Sequence, residues 1–342
     1  MLPLSGPRVA IVASLLASAI VPARADAVAD FYRDKTITVI SAGGAGGAHG
    51  TYAQLLVQHF RRHVPGNPNV IIQYMLGAGG NVGANYLYNV APKDGTAIGV
   101  PLQDLIFNAR IGVSAVKYDA AKVEYLGGAD VTRTTVTVMK SSGVLTLEDA
   151  KRKEVLMGST GTSGQAYVIP VVLNAMLGTK FRPIVGYRDI NLVHLAMEKG
   201  EVHGSAASWP TISAARRHWI ERDLIANLVT VAMEREPELP KVPALAEVVT
   251  AADDRALIPL LAGSAAHGRA WVASSDVPKD RLAALRDAYA KTLRDPAFLA
   301  DARKRSFTIN PIGWQEQQKI ARDILATPDA AVARLKKILG LQ

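Results

Sequence analysis

The chain contains no cysteine. That excludes disulfides, thiol chemistry and a lipid-modified N-terminal cysteine. Aromatic residues make up only 6% of the 342 residues. No basic-aromatic stripe and no nucleic-acid motif occurs, so the net charge of +9 argues for anionic partners in general and against nucleic acid. Past the N-terminus, no segment reaches the roughly 18 uninterrupted apolar residues of a membrane span. No solenoid-length repeat and no low-complexity tract is present.

Familiar site motifs are missing as well. No glycine is followed by lysine and then a hydroxyl residue, so there is no phosphate-binding P-loop. The dinucleotide pattern Gly-x-Gly-x-x-Gly fails twice: Gly44 and Gly46 meet His49 where glycine is required, and Gly77 and Gly79 meet Val82. Ser163 is not in a nucleophile elbow, because Gln165 stands where the second glycine belongs. His59 and His63 lie four apart, but no glutamate completes a zinc-protease motif and Arg61 and Arg62 disfavour a cation. No cofactor and no metal is expected.

What is present reads as a globular, exported α/β chain. Hydrophobic residues are 49% and charged residues 20%, and the length suffices for two domains. Arg8, an apolar run over residues 9–21 and the Ala23-Arg24-Ala25 site read as a secretory signal over residues 1–25. Cleavage there removes two arginines and no acid. The mature chain is expected outside the cytoplasm, as a monomer.

Short β-branched segments alternate with helical periodicity. Strands are expected at 35–41, 69–76, 96–102, 154–160, 181–187, 201–208, 224–233 and 269–275, with one extended run over 123–139. Helices are expected between them, including one opened by a Thr146 cap with Asp149 three residues on. Strand followed by helix, repeated, implies parallel pairing with crossover helices. Two such units are expected: lobe 1 over residues 26–126 plus 268–342, and lobe 2 over 127–267.

Three glycine-rich segments, 43–50, 77–83 and 158–164, share one position, after a strand and before a helix. Ligands bind there in open parallel sheets, and helix starts offer unpaired amides and partial positive charge. Either the glycines only serve tight turns, or they let an anion reach those amides.

Several stretches decide how this pattern is read: "FYRDKTITVISAGGAGG" (31–47), "MLGAGGNVGANYLYNVAPKDGTAIG" (75–99), "GSTGTSGQAY" (158–167), "IVGYRDINLVHLAMEKGEVHG" (184–204), "VPALAEV" (242–248) and "WVASSDVPKDRLAALRDAYAKTLRDPAF" (271–298). With them the chain resembles the periplasmic solute receptors of tripartite tricarboxylate transporters, often called Bug proteins, over nearly all its mature length. The resemblance implies a two-lobed periplasmic binding protein of the type II kind, each lobe a mostly parallel sheet flanked by helices. It implies a small organic carboxylate as ligand, held largely by backbone donors of the first two loops, and membrane transporter subunits as partners.

The residues singled out for the ligand are Gly46, Gly47, Ala48 and His49 in the first loop, Gly79, Gly80 and Asn81 in the second, and Thr160, Thr162 and Ser163 in the third. Tyr187, Arg188, Ser208 and Trp209 are expected to add side chains from the second lobe. Valine at Gly46 is expected to block backbone approach and to resist any positive φ. The chain departs from the family where an aspartate is common, with Gly50 in the first loop and His203 in "GEVHG". A protonated His49 or His203 would make anion binding strengthen as pH falls from about 7.5 to 5.5. Two other readings stay open: a secreted hydrolase using Ser163, and an orphan receptor feeding a sensor.

Overall fold

The computed structural model describes residues 21–341. The signal-peptide reading of residues 1–25 falls mostly outside them. A helix spans Val21–Tyr32 and so runs through the expected cleavage site. No helix among the described residues is long and apolar enough to cross a membrane.

Ten strands form two five-stranded sheets. β1 (Thr36–Ser41), β2 (Asn69–Tyr74), β3 (Ala97–Val100) and β4 (Val123–Gly128) belong to the first. β5 (Thr134–Met139), β6 (Val155–Gly158), β7 (Phe181–Ile184), β8 (Gly204–Ser208) and β9 (Ile225–Val231) form the second. β10 (Ala270–Ser274) returns to the first. The orders are β2-β1-β3-β10-β4 and β7-β6-β8-β5-β9.

The sheets are mixed rather than wholly parallel. β1 pairs in parallel with β2 and β3, and β6 with β7 and β8. β10 and β5 are antiparallel to both of their neighbours. Each of these two strands follows a crossing between the sheets. It enters its new sheet at the end where the parallel strands finish, and so must run the other way.

The expected extended run 123–139 is two strands in different sheets. Residues 129–133 carry the chain across, and residues 267–269 bring it back. The two crossings bond to each other: Ala129 N donates to Arg269 O at 3.2 Å and Arg269 N to Asp130 O at 3.4 Å. The tail also departs from the expected division. The helix Asp329–Leu339 packs against the helix Gln165–Leu177, which flanks the second sheet. Its Ala331, Val332 and Leu335 are buried, and Arg334 Nε donates to the buried Asp254 at 3.0 Å.

Local chemistry explains several elements. Thr146 and Asp149 form a reciprocal capping box, with Asp149 N donating to Thr146 Oγ1 at 3.1 Å and Thr146 N to Asp149 Oδ2 at 3.0 Å, worth about 1 kcal/mol. His59 and His63 are not a metal pair. They meet Asp301 at 3.1 Å and Asp295 at 2.8 Å, tying the helix Ala48–Phe60 to the helix Pro296–Lys304. Trp219 is fully buried and anchors the short helix Arg217–Glu221.

Candidate functional site

Six strands, β1, β2, β3, β6, β7 and β8, each lead into a helix, and the six helix starts converge. Their N-cap residues are Gly47, Gly80, Asp104, Gly164, Asp189 and Ser208. All six line one cavity of about 210 Å³ between the sheets. A helix start presents amides without intrahelical partners and partial positive charge; of these six, only at the Ile190–Lys199 helix does a carboxylate, Asp189, already accept from them. The parallel topology therefore produces a cavity suited to anions.

The two walls differ. On the first-sheet side the lining is mostly backbone and small residues, Ala42, Gly43, Gly44 and Gly47 and the run from Gly77 to Gly80. Residues 77–80 all hold positive φ, with Ala78 at 48° and Gly79 at 63°. A Cβ on Gly79 would lie 2.2 Å from Ser163 Oγ, so this loop passes closely under the other lobe. On the second-sheet side Thr160, Gln165, Arg188, Ser208 and Thr211 contribute side chains. Ser208 Oγ and Thr211 Oγ1 share a hydrogen bond of 2.6 Å.

The lobes touch across the cavity. Asn191 Nδ2 donates to Gly46 O at 2.6 Å and Gln165 Nε2 to Asp104 Oδ1 at 2.7 Å. Ser163 Oγ faces Ala78 O at 3.5 Å. Behind the first wall, the fully buried Arg269 guanidinium lies 4.2 Å from the Tyr52 ring centroid. Nearby Asp130 is pushed up to about 7 by burial, only partly opposed by Arg269.

Of the residues singled out in the sequence, Gly47, His49, Gly79, Gly80, Thr160, Arg188 and Ser208 line the cavity. Ala48 opens the helix behind Gly47. Gly46 lies at the lobe contact through its carbonyl. Its φ is ordinary and the nearest atom to an added Cβ is Asn191 Nδ2 at 3.7 Å. The strain expected there belongs instead to Gly79.

Asn81 is buried and ties back to Ala78 O at 2.7 Å, so it fixes the second loop rather than lining the cavity. Thr162 is exposed outside the lining. Ser163 serves the lobe contact, its hydroxyl directed at the Ala78 carbonyl. Tyr187 packs on the apolar cluster around Trp219. Trp209 is buried in the same cluster, its Nε1 donating to Glu238 at 2.6 Å. Trp209, expected to add a side chain to the ligand site, instead packs the second lobe.

The two histidines do not act as expected. Desolvation, and then Arg269, push His49 down to about 3, so it stays neutral. His203 is outside the cavity lining, and its Nδ1 accepts from Leu156 N at 3.0 Å. Its shift is also downward, from burial and Lys153. The missing aspartate at position 50 has a steric cause. A Cβ on Gly50 would lie 2.1 Å from Gly44 O, leaving no room for a side chain.

Sequence reasoning missed Gln103, Asp104, Gln165 and Thr211, which also line the cavity. The loop "PLQD" lacks glycine and so escaped a search keyed to glycine. Its position after β3 and before a helix was the usable signal.

No protein-family model and no curated relative matches the chain in sequence. Solved structures match its fold. An R. palustris protein, Rpa4515, with adipate is 17% identical, with a TM-score of 0.68 over 90% of this chain and 97% of that one. The periplasmic binding protein BugD is 17% identical, with a TM-score of 0.68 over 91% and 99%. MatC from Rhodopseudomonas palustris with bound malate is 17% identical, with a TM-score of 0.64 over 89% and 99%. The chain thus has the two-lobed fold of periplasmic solute-binding proteins.

Proposed function

We propose that this protein is a periplasmic solute receptor that captures a small carboxylate between its lobes and delivers it to a membrane transporter of the tripartite tricarboxylate type. The convergence of six helix starts on one interlobe cavity carries this reading. It supplies anion-directed amides from both lobes, so a bound carboxylate would favour the closed arrangement. Similarity in fold to proteins solved with adipate and malate supports the ligand class. Binding rather than catalysis is favoured because Ser163 faces a carbonyl instead of a base.

Thermal unfolding against a panel of small carboxylates tests the proposal. A ligand at a hundred times its Kd should stabilise the fold by about 2.7 kcal/mol, with no turnover. A panel that leaves the melting temperature unchanged at millimolar concentration, or release of product from an ester that Ser163→Ala abolishes, would overturn it.

A further inference from the structure

Among the helix starts around the cavity, one is out of character. Asp189 uses its carboxylate to cap its own helix, accepting from Asn191 N at 2.8 Å and Leu192 N at 3.1 Å. Asp104 stands at the equivalent place after β3, but its side chain makes no cap bond. It is 4% exposed. Its carboxylate is held by neutral groups, the side-chain amide and backbone N–H of Gln165 and the Ser264 hydroxyl. No Lys, Arg or His among the described residues forms an ion pair with it. Gln165 is itself 6% exposed. Its Nε2 is spent on Asp104 Oδ1 and on Ser264 Oγ at 2.6 Å, and its buried Oε1 has no partner.

A cavity built for anions therefore holds, in one part of its wall, a buried carboxylate without a counter-charge and an amide oxygen without a donor. We propose that the ligand is zwitterionic: its carboxylate lies at the glycine loops and its ammonium group is received by Asp104 and the Gln165 oxygen. The inference rests on the carboxylate-receptor reading and adds the identity of the ligand's other group. An ammonium would supply the missing charge and donate to both acceptors. A second carboxylate in its place would meet Asp104 as a like charge in a desolvated site. Burial pushes Asp104 up to about 6, against the hydrogen bonds from Gln165 and Ser264, so at pH 7.5 it is mostly ionised.

Calorimetric titration with matched pairs tests this: 3-aminopropanoate against succinate, 4-aminobutanoate against glutarate, and 5-aminopentanoate against adipate. In each pair an ammonium replaces one carboxylate. At pH 7.5 the protein should bind at least one amino acid about tenfold or more tighter than its paired diacid, and Asp104→Asn should erase that preference. The affinity of the amino acid should also fall as pH drops through about 6. Binding an ammonium holds Asp104 below its free-state value, and the gain is lost once the carboxylate protonates. Asp104→Asn should flatten this profile. Tyr118 lies within reach of the Asp104 charge, and the other titratable or charged groups that line the cavity are His49, Arg188 and Asp189, none of them in an ion pair with Asp104. Burial keeps Tyr118 and His49 uncharged in this range.

Diacids bound as well as or better than their partners would overturn the inference and leave the receptor reading standing. An amine preference that survives Asp104→Asn would remove Asp104 from the role. If no member of the series binds at millimolar concentration, the receptor reading falls and the inference with it. The ratio within each pair is measured on the parent protein, so it decides even if the variant folds poorly.

Discussion

The first lobe meets the cavity with backbone, the second with side chains. Residues 42–44, 47 and 77–80 place peptide groups at the surface, and glycine keeps most of them bare. Opposite them stand Thr160, Gln165, Arg188, Ser208 and Thr211. Backbone donors are fixed by the fold and read only what every carboxylate offers. Side chains change by single substitution and read what distinguishes one ligand from another. On the receptor reading, common affinity and individual selectivity fall on opposite walls, with His49, Gln103 and Asp104 as the polar side chains on the backbone-rich side. Substitutions should then act through added bulk on the first wall and through lost chemistry on the second.

The largest effect should come from filling the first wall. Gly50→Asp puts a Cβ 2.1 Å from Gly44 O, a backbone atom that cannot swing away. A destabilisation of about 3 kcal/mol is expected, the upper part of the overpacking range, visible as a lower urea midpoint. A variant as stable as the parent would mean that the loop is not packed as described.

Gly79→Ala should come next, and should strike binding harder than folding. It places an alanine at a φ of 63° with its Cβ 2.2 Å from Ser163 Oγ, which holds the lobes apart. A loss of about tenfold in affinity is expected from the displaced loop and lobe contact, with about 1 kcal/mol of stability lost to the left-handed conformation. Adding Ser163→Ala should recover part of the loss by removing the hydroxyl, but not the part due to φ. Full recovery in calorimetry would show that only the clash mattered.

On the second wall, Arg188→Gln removes an exposed charge without adding bulk. Affinity should fall by up to about fivefold at low ionic strength and much less in 0.5 M salt. A salt-independent loss would place Arg188 in a direct, desolvated bond. The smallest effect should be that of His203→Gln, in the second lobe but outside the wall. Its affinity at pH 6 should match the parent within about twofold, because a group that touches no ligand contributes no binding linkage. A larger change would return His203 to the site.

The order of strands and helices was legible in the sequence because β-branched runs and helical spacing are local signals. Strands expected at 69–76, 154–160 and 269–275 are observed at Asn69–Tyr74, Val155–Gly158 and Ala270–Ser274. The Thr146 cap was legible for the same reason. The break inside 123–139 was not, since β4 and β5 have equal strand character and only their partners differ. At the site, glycine marked two loops of the first wall and one of the second, 158–164. The side chains of the second wall are polar, and polarity does not say which side chain faces a cavity. Trp209 and Ser208 are adjacent in sequence, yet one joins the apolar core and the other the lining.

By itself the sequence determined the alternation of strand and helix, the absence of thiol chemistry, and loops that leave backbone exposed at helix starts. These follow from residue type and spacing within about a dozen positions. Tertiary structure alone decided that six helix starts share one cavity and that His49 lies under the loop uncharged beside Arg269. It also decided that Asp104 is buried without a counter-charge. Desolvation and charge proximity depend on groups far apart in the chain, and Asp104 meets Gln165 61 residues away. No local pattern encodes them, because a carboxylate's environment is set by what the folded chain brings against it.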